Sequence, residues 1–287
     1  MGIYHRPDKL KDALALLEAE RVIIAAGCTD LFAATEAQEL GSGSGDVVLD
    51  VTALSELQGI QKVAKGWRIG AAATWSDLVA ASLPPAFDML KQAARQVGGI
   101  QVQNAGTLVG NICNASPAAD GVPPLLALDA EVELLRPGGI RRVALRDFVT
   151  GPRQTAREND EIVSALLVPE GSISGHSAFE KLGSRSHLVI SIAMVAACLE
   201  VSDGQVTGAA VAVGACSPVA ARLSALETAL IGVVVDDIED VVGEAQISAA
   251  LSPISDVRGS AEYRFEAVPE LVRRALRSAA EAAGCSI

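Results

Sequence analysis

Residues 104–120, NAGTLVGNICNASPAAD, limit the possible folds of this chain more than any other stretch. The segment is poor in charge, rich in small residues and longer than a turn needs. It is also too interrupted for a regular helix or strand. Two readings are open. In the first, Ser116-Pro117 opens a helix, with Ser as N-cap and Pro at the first helical position, and Gly106 and Gly110 permit turns with positive φ. In the second, the small residues let main-chain N–H groups approach a ligand closely.

The second reading needs a partner, and residues 24–30, IAAGCTD, provide one: a short apolar strand that ends in small residues and a Thr-Asp pair. A run of N–H groups in such a bend forms a concave donor nest suited to a diphosphate. Thr29 and Thr107 add hydroxyl donors and Asn111 an amide, while Asp120 can accept from ribose hydroxyls. No Gly-Lys-Ser/Thr follows either bend, and neither contains G-x-G-x-x-G after a first strand. A Walker A loop and a Rossmann site are therefore not supported. The residues alone lead to a phosphate-binding α/β protein.

Charge narrows the partners. With 23 Lys and Arg against 35 Asp and Glu, the 287-residue chain carries a net charge of −12, which opposes binding to nucleic acid phosphates. Half the residues are apolar and few are aromatic, so a sizeable core of small aliphatic side chains is expected. The longest apolar runs, near residues 192–199, are far short of a membrane span. Arg6, Asp8, Lys9 and Lys11 interrupt the start, where a signal peptide would be apolar. The five cysteines form no C-x-x-C, so neither an iron–sulfur cluster nor structural zinc is expected. Free thiols in a reducing cytoplasm are expected instead. His5, His176 and His187 show no metal spacing.

The periodicity predicts a helix over residues 8–17, strands at 21–26, 47–51 and 67–73, and a Gly/Ser loop at 41–45. Thr74 followed by Asp77 marks a helix start. Pro84-Pro85 opens a helix to about Val97, and Pro123-Pro124 sit in the first turn of another. Strands at 131–136 and 140–144 flank Pro137-Gly138-Gly139. Residues 170–176 read as a connector. Apolar segments 188–201 and 205–214 around Ser202-Asp203-Gly204 read as a β-hairpin. Helices follow at about 219–231, 236–250 and 259–282, the last broken near Pro269.

At these residues the chain resembles the FAD-binding medium subunit of the molybdenum hydroxylases, the group that includes xanthine dehydrogenase and aerobic carbon monoxide dehydrogenase. The family's A-G-G-T-D is matched by residues 26–30. Its R-N-x-G-T-x-G-G-N followed by A-S-P-x-x-D is matched by 103–111 and 115–120. Ile69-Gly70-Ala71 with Thr74 is similar to I-G-A-x-x-T, Lys181 to Arg185 to K-x-G-x-R, and Ser260 to Arg264 to S-A-x-Y-R. The motifs keep their order over nearly the whole chain. Two departures are Cys28 and Val109, each where the family pattern has glycine.

The resemblance implies an α+β fold. A two-lobed FAD-binding domain of the p-cresol methylhydroxylase type would occupy residues 1–170, with lobes at roughly 1–58 and 59–170. A smaller C-terminal domain of antiparallel sheet and helices would occupy 177–287. It implies FAD held by Ile24, Ala25, Ala26, Gly27, Cys28, Thr29, Asp30 and Leu31 and by Thr107, Leu108, Val109, Gly110 and Asn111. Val97, Ser116, Asp120, Lys181 and Ile190 would complete the site. For Lys181 and Arg185 a solvated strand edge stands beside the flavin-side role, and Cys28 and Cys113 read as packing thiols. The implied partners are a large molybdenum-cofactor subunit and a small [2Fe-2S] subunit. Electrons would pass from the clusters through FAD to NAD or another acceptor, with no general acid or base in this chain. The alternatives are a non-flavin structural paralogue that lost the cofactor through Cys28 and Val109, and a stand-alone flavin oxidoreductase.

Overall fold

The computed structural model describes residues 3–19, 22–31 and 47–285. The Gly/Ser stretch at 41–45 lies outside the described residues. Near the start, β1 (Ile3–His5), β2 (Val22–Ala25) and β3 (Val47–Asp50) form a sheet in the order β1-β3-β2, parallel throughout. Parallel neighbours need a crossover. Helix α1 (Leu10–Ala19) lies between β1 and β2 in sequence and buries Ala13 and Leu17.

The second sheet is antiparallel, in the order β4-β5-β10-β6-β7. Its strands are β4 (Ile60–Val63), β5 (Gly66–Gly70), β6 (Glu131–Arg136), β7 (Gly139–Ala144) and β10 (Ile162–Pro169). Between β5 and β6 the chain runs through α2 (Trp75–Ala80), α3 (Asp88–Gln96), α4 (Ile100–Ala105), α5 (Leu108–Asn114) and α6 (Val122–Ala127). The short α7 (Leu145–Phe148) and the ribbon of β8 (Val149–Gly151) and β9 (Gln154–Thr155) precede β10. Helix α2 starts as its sequence predicts: Thr74 and Asp77 form a reciprocal capping box.

A third, antiparallel sheet has β11 (His176–Leu182), β12 (Ala193–Ser202), β13 (Gln205–Gly214) and β14 (Ala221–Arg222) in sequential order. The hairpin turns at Asp203-Gly204, both with positive φ. Helices α8 (Ser224–Leu230), α9 (Glu244–Ser248) and α10 (Ala261–Ala282) follow. One core gathers Leu49, Ile69, Trp75, Phe87, Leu108 and Leu166, and a second gathers Val195, Leu199, Val211, Leu226, Val272 and Leu276. Among the described residues no helix is long and apolar enough to cross a membrane.

Several expectations change. The stretch 104–120 contains regular structure after all: the end of α4, the whole of α5 and a turn. Ser116-Pro117 does not open a helix. Thr107 does, accepting from Gly110 N at 3.0 Å. Ser116 closes a turn instead, its Oγ accepting from Ala118 N. Gly106 and Gly110 do not adopt positive φ. Each is small because a Cβ would collide, with Val102 O at 2.8 Å for Gly106 and with Thr107 Oγ1 at 2.8 Å for Gly110. Helix α10 continues through Pro269. Proline removes one ladder hydrogen bond, but the buried face formed by Val268, Leu271, Val272, Ala275 and Leu276 holds the helix in place. The helices expected at 219–231 and 236–250 shrink to α8 and α9 plus a single 3₁₀ turn, Val235–Asp237. They are cut by Gly232 (φ +82°) and by Gly243, the residue before α9. Strands β10 and β11 were not legible as such.

The loop between β9 and β10 is anchored by Glu161, fully buried. It receives Arg141 Nε at 2.5 Å and Nη2 at 2.8 Å. Burial pushes its carboxyl up, but the Arg141 hydrogen bonds and the Glu158 N–H outweigh that and hold it below the usual glutamate range. A lowered folded pKa gives stability that is present above the unfolded pKa and lost as pH falls through the folded one. Glu161→Gln should therefore lower the thermal midpoint at pH 7 and flatten its fall in acid, as read by thermal melts from pH 7 to pH 3.

Candidate functional site

Strand β2 ends at Ala25, where the main chain turns into Ala26-Gly27-Cys28-Thr29-Asp30. Cys28 adopts φ +57°, and its Sγ folds back to Ala26 O at 3.3 Å. The N–H groups of Gly27, Cys28, Thr29 and Asp30 have no hydrogen-bond partner among the described residues. A left-handed residue within a run of free N–H groups curls successive donors toward one point, which is the geometry of an anion nest. The departure from glycine at Cys28 therefore keeps the bend and adds the strain of a side chain in the αL region, about 1–2 kcal/mol.

The second bend meets the first main chain to main chain. A Cβ on Gly27 would fall 1.9 Å from Ala105 O and 2.8 Å from Gly106 Cα. A Cβ on Gly106 would lie 3.3 Å from Thr29 Oγ1. Thr107 then caps α5. Because Leu108 N donates to Ala73 O, Gly110 N to Thr107 Oγ1 and Asn111 N to Thr107 O, three N–H groups of this bend are already engaged. The donors left facing a ligand include the Thr107 hydroxyl hydrogen and the Asn111 side-chain amide, whose Oδ1 accepts from Gly121 N. Val109 is an ordinary helical residue, 4 % exposed and free of strain.

These bends form one side of a cleft of about 1320 Å³. Residues 24–31, Val97, Thr107, Val109, Gly110, Asn111, Ser116, Asp120 and Ile190 all line it. Two expected residues do not. Leu108 turns its side chain into the core and is fully buried. Lys181 lies behind the wall, its side chain 5 % exposed, with Nζ 2.8 Å from Asp120 Oδ2. Asp120 also accepts from Ser191 Oγ at 2.5 Å. Burial pushes the Asp120 carboxyl up, and Lys181 and Ser191 pull it back without cancelling the rise. The reading of Lys181 as a solvated strand edge is thus replaced by a buried cation that holds an acid of the cleft. Arg185 is exposed and donates through Nε to Leu188 O at 3.1 Å.

Sequence reasoning missed Ser191, Asp256 and the cleft-lining role of Arg264. Arg264 is 1 % exposed and donates to Ile192 O at 2.5 Å, Ala215 O at 2.7 Å and Asp256 Oδ1 at 2.5 Å. A basic residue in an otherwise apolar helix face was the available signal. Arg153, Arg157 and Arg258 also line the cleft, and no motif marked them. The thiols of Cys113, pushed up to about 12 by burial, and Cys28, raised mainly by burial, are held protonated.

The cleft exceeds the roughly 300–1,000 Å³ of ordinary small-ligand pockets, so it has room for a ligand of dinucleotide size. Free N–H groups, two threonine hydroxyls and an amide supply donors for a diphosphate. Val97, Val102, Val189 and Ile190 supply an apolar wall for a ring system. The residues present therefore fit FAD.

Residues 1–171 match the family model described as FAD binding domain in molybdopterin dehydrogenase, and residues 177–279 match CO dehydrogenase flavoprotein C-terminal domain. The chain is 30% identical over 281 residues to the glyceraldehyde dehydrogenase medium chain of Sulfolobus acidocaldarius, covering 96% of this chain and 98% of that one. It is 30% identical over 286 residues to the xanthine dehydrogenase FAD-binding subunit of Escherichia coli O157:H7, covering 98% and 97%. Its structure is similar to the reconstituted CO dehydrogenase from Oligotropha carboxidovorans, with a TM-score of 0.89 at 27% identity, covering 98% of each chain.

Proposed function

This chain belongs to the family of FAD-binding domains of molybdopterin dehydrogenases, and from that premise we propose that it relays electrons from the iron–sulfur clusters of a partner subunit, through its FAD, to NAD or another acceptor. It is an FAD-binding oxidoreductase subunit of the molybdenum hydroxylase type. The proposed partners are a large subunit with the molybdenum cofactor and a small [2Fe-2S] subunit, in the cytoplasm. The proposed domains are residues 1–170, with lobes meeting near 58, and 177–287. In support, the first two large sheets close within residues 1–58 and 59–170, and the third closes within 177–287 except for His176, the first residue of β11.

The observation that carries the site assignment is the contact of two bends, at Gly27 and at Ala105-Gly106, beside four consecutive N–H groups with no hydrogen-bond partner among the described residues. In this reading the nest at residues 27–30 and the Thr107 and Asn111 side chains hold the diphosphate. Residues 24–26 and Leu31 flank it. Val109, Gly110 and Ser116 also line the cleft, with Leu108 supporting from the core. Val97 and Ile190 cover the rings, and Asp120, held by Lys181 and Ser191, presents a carboxylate to a hydroxyl of the cofactor. The bound flavin supplies two-electron and one-electron redox chemistry. The protein positions it and excludes water, and no proton carrier is assigned to this chain.

The test begins with the full-length chain purified without its partners. Its visible spectrum and the FAD released on denaturation should give one flavin per chain. FAD should also slow labelling of Cys28 by N-ethylmaleimide, followed by peptide mass mapping. A colourless protein that stays apo in excess FAD, with Cys28 labelled at the same rate, would favour the non-flavin paralogue. For the relay, the complex assembled with its partners should reduce NAD only when flavin is present. Acceptor reduction by a flavin-stripped complex would sink that step.

A further inference from the structure

Helix α5 separates two ends of the cleft. Its seven residues rise about 10 Å at 1.5 Å each. The proposed diphosphate cradle takes in Thr107 at its start and Asn111 within it, and Asn114 is its last residue. At that last end the tip of the β8–β9 ribbon is fastened by Arg153 N to Ala115 O at 2.8 Å. Arg153 donates through Nη1 to Asn114 O at 3.3 Å and to Asn114 Oδ1. Arg157 donates through Nη1 to Glu158 O and Glu161 O, both at 2.9 Å. Both arginines line the cleft, with Asn114 and Asn159 beside them.

Two features stand out. In a chain with 35 acidic residues and a net charge of −12, neither arginine forms an ion pair among the described residues. Each also engages only Nη1, so the Nε–Nη2 edge has no hydrogen-bond partner among the described residues. That edge is the fork that grips phosphate with two parallel bonds. Capping the end of α5 accounts for Nη1 of Arg153, but not for the free forks or for Arg157.

We propose that Arg153 and Arg157 form a second phosphate subsite, for a phosphorylated ligand bound beside the dinucleotide. This rests on the reading above of where the FAD diphosphate lies. FAD carries no anionic group besides the diphosphate already assigned to residues 27–30, Thr107 and Asn111, so the ligand is a separate molecule whose phosphate or diphosphate enters the same cleft.

The probe is inorganic pyrophosphate, titrated by calorimetry into the FAD-loaded full chain, with FAD content measured on every sample. Arg153→Gln/Arg157→Gln should weaken pyrophosphate binding at least tenfold while keeping one FAD per chain. Arg153→Lys/Arg157→Lys retains the charge and the donors to the carbonyls but loses the fork. It should fold with an unchanged thermal midpoint and bind with intermediate affinity. Equal affinity in all three proteins, or no binding to the unsubstituted chain, overturns the subsite. A loss of FAD in the variants, with pyrophosphate excluded by FAD, would return the arginines to the cofactor and overturn it as well. If the unsubstituted chain binds no FAD, the flavin reading fails, and the pyrophosphate titration of that chain against its variants still decides for the arginine pair.

Discussion

Lys181→Met is expected to lower the thermal midpoint by on the order of 10 °C, the largest loss of stability from any single substitution considered for this chain. Lys181 and Asp120 form an ion pair with side-chain exposures of 5% and 10%. Removing one partner from such a pair strands the other charge in a dry environment, at about 3–5 kcal/mol, and each kcal/mol corresponds to about 2–4 °C in a chain of this size. The pair also joins two parts of the molecule: Asp120 lies in the turn before α6, and Lys181 on β11 of the third sheet. The signature that separates a stranded carboxylate from simple loss of packing is its pH dependence. Burial already raises the Asp120 pKa with Lys181 present, and removing the cation raises it further. A carboxyl whose folded pKa exceeds its unfolded one favours the fold when protonated. The deficit of Lys181→Met should therefore shrink from pH 8 to pH 5. Adding Asp120→Leu should restore most of the stability, because two apolar groups leave no buried charge. It should not restore FAD affinity if the carboxylate serves the cofactor. A deficit independent of pH would show that Lys181 acts only through packing.

Gly27→Ala is expected to reduce FAD affinity about 100-fold, equivalent to about 2.7 kcal/mol, with a smaller effect on folding. The added methyl would sit 1.9 Å from Ala105 O. No rotamer can relieve this, because the backbone fixes the position of the Cβ and the carbonyl it meets is itself main chain. One bend must move, and the overpacking cost of about 1–3 kcal/mol falls on the contact that sets the spacing of the cradle. Strand β2 is held separately by its pairing with β3, and α5 by the Thr107 cap. Fluorescence titration with FAD reads the affinity, and a thermal melt of the FAD-free chain reads the fold. Unchanged affinity with a collapsed melting point would mean that the bends brace the fold without shaping a ligand site.

How much of this was legible beforehand differs by element. Helix α1 and the β12–β13 hairpin could be read because a helix face and a strand face repeat with fixed periods, and the Thr74–Asp77 box and Asp203-Gly204 turn are local chemistry. The motif at 26–30 announced a bend. It did not announce that Cys28 would take up the left-handed conformation that focuses the N–H groups. Strands β10 and β11 were missed because strands packed on both faces lose the alternation that marks an exposed one. The stretch 104–120 was misread as irregular because glycines placed for close approach look the same in sequence as glycines placed for turns.

By itself, then, the sequence determined which segments could become helix or strand, where the two small-residue bends lay, and the family to which their order belongs, since all of these follow from neighbours along the chain. Only the tertiary structure decided that the bends touch, that Lys181 lies behind the cleft rather than in it, and that Arg153 and Arg157 face the same cavity. Those outcomes depend on pairs tens of residues apart, brought together by burial and hydrogen bonding that no local pattern encodes.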